Sequence, residues 1–129
     1  MKRGTITIEP AHVLVALSSD GTVWMTVEEI ATIFQVTSAD IERHIKRLFA
    51  TGELDEREVK TEEMRLRNGR RYVVEYYNLD MIIALCFRID TPASKAFRRW
   101  ITEQVVRSLK REEAPPLILR IGRAVDYIN

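Results

Sequence analysis

Sulfur and imidazole are the scarcest chemistry in this chain. One cysteine and two histidines are present, so no internal disulfide can form, and Cys86, His12 and His44 cannot make an ordinary four-ligand zinc site. Cys86 sits inside the apolar run MIIALCF and reads as a buried, inert thiol. Glycine (5) and proline (4) are also few, which excludes collagen-like and low-complexity classes. The glycines are scattered, so neither a GxSxG elbow nor a GxxxxGKS/T phosphate loop exists. With no poised nucleophile and base and no metal cluster in the pattern, no enzyme is expected, and neither a cofactor nor a small-molecule substrate is implied. No apolar run approaches membrane-spanning length, and MKRGTITIEP lacks the apolar core of a signal peptide. The expectation is a cytoplasmic protein without membrane contact.

A net excess of charge is missing too, at +1, but the balance is uneven along the chain. Residues 1–64 hold 7 basic against 12 acidic side chains, and residues 65–129 hold 13 against 7. Attraction for a polyanion must therefore come from a patch rather than from the whole molecule. At 129 residues, 46% of them hydrophobic and 30% charged, the chain is long enough for one well-buried core. It reads as a single compact domain over 1–129.

What is present is organised punctuation. HVLVALSSDGTVWMT alternates and contains Asp20-Gly21, a tight-turn dipeptide, so a hairpin is expected there, joined by TITIE. TVEEIATIF opens with Thr26 and has Glu29 three residues on, a capping-box pattern, with Val27, Ile30, Ala31 and Phe34 at helical spacing. After the break QVT, Thr37 and Asp40 open a second helix whose Ile41, Ile45, Leu48 and Phe49 share a face, with Gly52 as its stop. Two short helices with a tight break form a helix-turn-helix candidate. Asn68-Gly69 then sits between two strand-like arms rich in Tyr, Val and Leu, a strong hairpin signal. A hairpin directly after a helix-turn-helix is the arrangement of a winged helix.

Downstream, Asn78 caps LDMIIALCFRI, apolar nearly all round and hence central to the core. Thr91-Pro92 opens a further helix with Ala96, Phe97, Trp100, Ile101, Val105 and Leu109 as its inner stripe and Arg98, Arg99, Arg107, Lys110 and Arg111 mostly off it. Pro115-Pro116 ends it. In the tail, Leu117, Ile121, Val125 and Ile128 recur at near-helical intervals. They read as a short amphipathic helix, folded back on the domain or docked on a second copy as a homodimer contact. The fold class expected is α+β: a winged-helix-like part over 1–78, a helical part over 79–112 and a tail over 113–129.

The register of the second helix turns Thr37, Ser38, Ala39, Glu42, Arg43 and Lys46 outward, toward the groove that such a helix enters in DNA. Asp40, at the third helical position, reaches back to the cap and complements the helix dipole. Glu42 either pairs with Lys46 four residues on or accepts a hydrogen bond from a cytosine amino group. His44, beside the inner face, reads as a packed, hydrogen-bonded imidazole. Arg65, Arg67, Arg70 and Arg71 crowd one hairpin tip. They are either solvated surface, neutralised near the base by Glu62, Glu63 and Glu75, or phosphate and minor-groove contacts.

The stretches VWMTVEEIATIFQVTSADIERHIKRLFATGELDE and YYNLDMIIALCFRIDTPASKAFRRWITEQVV resemble the virulence-associated RhuM family of bacterial proteins, over roughly Thr22 to Leu109. ASKAFRRWITEQVVRSLKRE is similar to the end of the Bro-N domain of phage antirepressors. The first resemblance implies a DNA-binding protein with a helix-turn-helix near its N-terminus, the second a prophage-associated DNA-binding module, and both point to mobile-element regulation. Arg43 matches the RhuM-like pattern, whereas Ser38, Asp40 and Glu42 stand where that family tends to be polar and basic, and Gln35 stands where a glycine is usual. The function expected is double-stranded DNA binding in transcriptional or mobile-element control. Arg43, Lys46, Arg47 and the hairpin arginines would anchor phosphates, and Thr37, Ser38 and Glu42 would meet bases. The alternative is an antirepressor-like protein-interaction module whose helix-turn-helix has lost its DNA role.

Overall fold

The structure is a computed structural model that describes residues 1–10, 12–111, 117–121 and 124–128. Among these, α1 (Val27–Phe34) and α2 (Ser38–Ala50) are followed by a one-turn α3 (Glu56–Val59), which has no counterpart in the sequence pattern described above. Ahead of them lie β1 (Thr5–Ile8) and β2 (Val13–Ala16); after them come β3 (Lys60–Arg67), β4 (Arg70–Tyr77), α4 (Leu79–Cys86), α5 (Pro92–Lys110), β5 (Leu117–Ile121) and β6 (Ala124–Ile128). The strands pair as three separate antiparallel hairpins, and the α+β class holds.

The chain forms two compact units, Met1–Arg98 and Arg99–Asn129, where the sequence suggests one. The boundary falls inside α5, and the reason lies in its apolar stripe. Phe97 is fully buried and meets Phe34 edge to face at 5.7 Å. Farther along, Trp100 and Ile101 are only half-buried, and Val105 and Leu109 are about half exposed. The expected inner stripe therefore serves the first core only through its N-terminal turns. In the second unit, the tail expected as a helix is the β5–β6 hairpin, with Leu117 opposite Ile128 and Ile121 opposite Ala124. Alternation with period two replaces helical spacing there, so Leu117, Ile121, Val125 and Ile128 are not one helical face; Val125 is opposite Arg120 instead. The helix end at Pro115-Pro116 lies outside the described residues.

In the first unit the core gathers Ile30 and Phe34 of α1, Ile41, Ile45 and Leu48 of α2, and Met81, Ile82 and Leu85 of α4, all at most 5% exposed. Asn78 caps α4 by accepting from the Met81 N–H. At the other end of α4, Arg98 turns inward and donates from one Nη1 to the carbonyls of Cys86 and Ile89, at 2.5 and 2.7 Å. A guanidinium at a helix C-terminus satisfies orphan carbonyls and suits the dipole, so this cation belongs to the scaffold. Burial pushes the Cys86 thiol up to about 11, as its apolar surroundings predict.

The first hairpin departs from expectation. Asp20-Gly21 does form a tight loop, closed by Ser18 N–H to Thr22 O at 2.7 Å and Gly21 N–H to Ser18 O at 3.0 Å. The arm after it does not return along β2. Trp24 pairs with Arg3, and Met25 bridges Tyr77 at the end of β4, so TITI alone is the partner of β2. Gly4 makes this close pairing possible: at φ +70°, a Cβ there would meet the Ala16 carbonyl at 2.5 Å.

Candidate nucleic-acid interface

Two caps and one left-handed residue set the helix pair. Thr26 accepts from the Glu29 N–H while the Glu29 carboxylate accepts from the Thr26 N–H, completing the capping box. Gln35 takes the left-handed conformation (φ 60°, ψ 43°) that closes α1, the job a glycine usually does. The Thr91 hydroxyl, itself at the cap of α5, donates to the Phe34 carbonyl at 2.9 Å and ties the turn to the scaffold. Thr37 then caps α2 by accepting from the Asp40 N–H at 3.1 Å.

Of the residues expected to face outward from α2, Thr37, Ala39, Glu42, Arg43 and Lys46 are exposed, as is Arg47, whereas Ser38 is half-buried. Asp40 behaves as a cap residue. Its hydrogen bond with Thr37, and then Arg43 at 2.9 Å, hold its carboxyl below the usual carboxylate value. Glu42, Lys46 and Arg47 enter no ion pair among the described residues, so the expected Glu42–Lys46 pair is not formed. His44 is packed, but its Nδ1 is buried without a hydrogen-bond partner among the described residues, contrary to the hydrogen-bonded imidazole expected.

The β3–β4 hairpin turns on Asn68 and Gly69, both at positive φ (52° and 74°), the conformation that suits the right-handed twist of the strands. Its register separates the four arginines. Arg67 lies directly opposite Arg70 and Arg65 opposite Tyr72, which puts all three arginines on one face; Arg71 lies opposite Leu66 on the other face. Arg65 is committed, donating to the Tyr76 hydroxyl at 2.9 Å and pairing with Glu63 at 3.5 Å. Arg67, Arg70 and Arg71 are exposed and make no ion pair among the described residues. Of the other acids near the base, Glu75 at 3.2 Å and Glu62 at 3.9 Å are drawn to Lys60, which also meets Glu56 at 3.1 Å. Burial works against the Lys60 charge, but these carboxylates prevail and raise its ammonium to about 12. Like charges directly across a strand pair destabilise it, so the tip holds an unrelieved positive field.

The two flanks of α2 carry opposite charge. Toward β4, a cleft of about 320 Å³ is lined by Glu28 at the start of α1, Glu42 of α2 and Glu75 of β4, with Val27, Val73 and Val74 among the apolar walls. Toward α4, the charges of Arg43, Arg47 and Arg88 act on His44. Burial first, and then these three guanidinium groups, hold its imidazole below the ordinary 6.5. Arg88 was not a sequence candidate, because only the packing of α4 on α2 brings it there. The Glu28–Glu42–Glu75 cleft was likewise invisible, being assembled from three elements. Among the described residues, no group of three or more His, Cys, Asp or Glu is placed to hold a metal ion, and no helix is long and apolar enough to cross a membrane.

Residues 12–107, most of the chain, match the family model described as the BRO family N-terminal domain, Bro-N. The chain belongs to the Bro-N family. No curated protein and no solved structure matches it. Bro-N domains are associated with phage antirepressors and DNA-binding regulation, and that coarse role carries to this chain. The match runs through the helix pair, the arginine hairpin and most of α5, and so extends well beyond the short α5 stretch whose Bro-N likeness is plain in the sequence. The comparison does not show the RhuM family.

Proposed function

We propose that this Bro-N domain is a non-enzymatic DNA-binding regulator of a phage or other mobile element, acting in the cytoplasm on double-stranded DNA as a winged helix does. The carrying observation is the hairpin tip, where Arg67, Arg70 and Arg71 stand exposed with no acid to relieve them among the described residues. Three such cations have a natural partner in the phosphate backbone. In α2, Ala39 and Ala50 are exposed small residues on the same outer ridge as Lys46, so the helix can approach a groove closely. Thr37 and Glu42 are the residues left to meet base edges, and Lys46 and Arg47, without an ion pair among the described residues, the cations that position them. Such a site grips the backbone more strongly than it reads sequence. The RhuM likeness fits the same reading, as a second mobile-element family built around this helix pair. A homodimer, with the segment containing Leu117, Ile121, Val125 and Ile128 as its contact, would present two copies of α2 to two half-sites.

A second reading has its own observation. The acidic cleft of Glu28, Glu42 and Glu75 beside α2 suits a basic protein segment, which is how an antirepressor-like interaction module would work. Fluorescence anisotropy on random-sequence duplex DNA across a salt series separates the two. The DNA reading expects binding that weakens steeply with salt, and a shallower slope once Arg65, Arg67, Arg70 and Arg71 are changed to Ala, by about 0.9 for each phosphate no longer neutralised. A folded native protein that binds no duplex even at low salt overturns it in favour of the protein-partner reading.

A further inference from the structure

Beside the hairpin, a second set of cations gathers where α4 packs on α2. Arg43 and Arg47 stand four residues apart on α2, Arg88 just beyond the end of α4 is held at Glu53 just past the end of α2, and the charges of all three act on His44. Arg88 is fixed at both ends. Its N–H donates to the Leu85 carbonyl at 2.9 Å, and its Nη2 rests on Glu53 at 3.0 Å with the side chain still 30% exposed. Arg43 rests on Asp40, and Arg47 is exposed without an ion pair among the described residues. Two acids thus orient two of the three cations without cancelling the set.

We propose that Arg43, Arg47 and Arg88 form a second phosphodiester-binding site on the α4 flank of α2. The inference rests on the DNA-binding reading above and deepens it. A major groove is about 12 Å wide and an α-helix with its side chains about 10–12 Å across. A helix that enters the groove therefore has one phosphate rail on each side. Arg88 adds to the rail on the α4 side a cation that α2 cannot supply from its own sequence, with the planar fork that suits phosphate oxygens.

His44 lies against this site and reports on it. The groups acting on it are Arg43, Arg47 and Arg88, which disfavour its proton, and Asp40, which favours it. Phosphates on the three arginines offset their field, so DNA binding draws a proton onto the imidazole.

The test uses the whole chain and a short random-sequence duplex, from ~50 to ~200 mM salt. Arg88→Gln is expected to weaken binding roughly 5-fold at low salt and to make the log–log slope shallower by about 0.9, the signature of one phosphate fewer neutralised. Glu53→Gln, which frees Arg88 from its acid, is expected to leave binding as tight or tighter. By NMR, the His44 titration midpoint is expected to rise when duplex is added to the native protein and to rise less in Arg88→Gln. Should Arg88→Gln melt early, Arg47→Gln, exposed and without an ion pair among the described residues, carries the same test. Unchanged affinity and slope with native binding intact overturns the site and leaves the hairpin reading standing. An equal loss in Glu53→Gln shows that the pair acts by holding the fold, and overturns the site as well. A native protein that binds no duplex at low salt removes the DNA reading and this site with it.

Discussion

The β3–β4 hairpin and the α4 flank of α2 are both basic, but they acquire their charge in opposite ways. The hairpin concentrates it in sequence: Arg67, Arg70 and Arg71 fall next to one turn, unrelieved by acids among the described residues. The α4 flank assembles it in space, from α2 and the end of α4, with Glu53 and Asp40 holding two of the three guanidinium groups in place. The first arrangement favours mobile long-range attraction and is strongly screened by salt. The second fixes two of its guanidinium groups at acids, which orient them and offset part of their charge. The Glu28–Glu42–Glu75 cleft, lined by α1, α2 and the base of β4, repels a backbone, so it discourages DNA from lying across the hairpin's base.

The largest effect should come from removing both sides at once. Arg67, Arg70 and Arg71→Ala, combined with Arg43, Arg47 and Arg88→Ala, is expected to abolish measurable duplex binding. The two triple variants alone should each weaken binding on the order of 10- to 100-fold at low salt, and the factors should multiply when combined, because the two sets share no ion-pair partner among the described residues. Anisotropy on all four proteins checks this. A combined weakening no greater than the larger single one would mean that one flank never touches DNA.

A different class of large effect tests the support rather than the charges. Leu48 is fully buried on the inner face of α2. Leu48→Ala should cost about 2–5 kcal/mol of stability in urea unfolding, through the transfer free energy of the deleted atoms and the cavity they leave. Since Arg43 and Arg47 share that helix, the α4 flank should lose its DNA contribution before the hairpin does. A stable Leu48→Ala protein with unaltered salt slope would separate the flank from the packing of α2.

How much of this was legible follows the length scale of the physics. The caps of α1, α2 and α4 and the Asn68-Gly69 turn were readable because each is settled among residues at most three apart: Thr26 with Glu29, Thr37 with Asp40, Asn78 with Met81. Asp20-Gly21 misled because a tight turn fixes only its own backbone; which strand pairs afterwards was decided by Arg3 and Tyr77, far away in sequence. In the same way α5 carries a continuous apolar stripe, yet burial follows it only through its first turns, and period alone misassigned the tail as helix. At the site, the cations of α2 and the hairpin were visible as local runs. The separation of Arg71 from Arg65, Arg67 and Arg70 came only with the register, and Arg88 and the acidic cleft only with tertiary packing.

A smaller effect sharpens the comparison at its midpoint. Glu42 is exposed, lines the cleft and has no ion pair among the described residues. Glu42→Gln should tighten binding to random duplex a few-fold by removing one like charge from the path of the phosphates. Weakening confined to some sequences would instead assign Glu42 to a base contact, because acceptance from a cytosine amino group specifies sequence while repulsion of phosphate does not.

The smallest effects are those of pH, and they distinguish the flanks by sign. In the free protein His44 is held below 6.5 by burial and by Arg43, Arg47 and Arg88, so at mildly acid pH the unfolded chain binds more protons than the folded one. Its contribution to stability is present above about 6.5 and is lost as pH falls through the lower folded value. The melting temperature should therefore fall slightly with acidification from neutral pH, and Glu or Asp protonation enters only later: Asp40, held below 3.8 by Thr37 and Arg43, keeps its contribution until pH falls beneath that value. His44→Gln should flatten the first step and leave the second. DNA affinity should run the other way over the first step, rising as pH falls, because phosphates on the arginines favour the protonated imidazole. The hairpin tip has no such group beside it among the described residues, so its arginine variants should keep the native pH dependence of binding. Arg88→Gln should weaken it. Thermal melts and anisotropy on the same buffer series measure both slopes, and slopes of the same sign would show that His44 does not sense the occupied site.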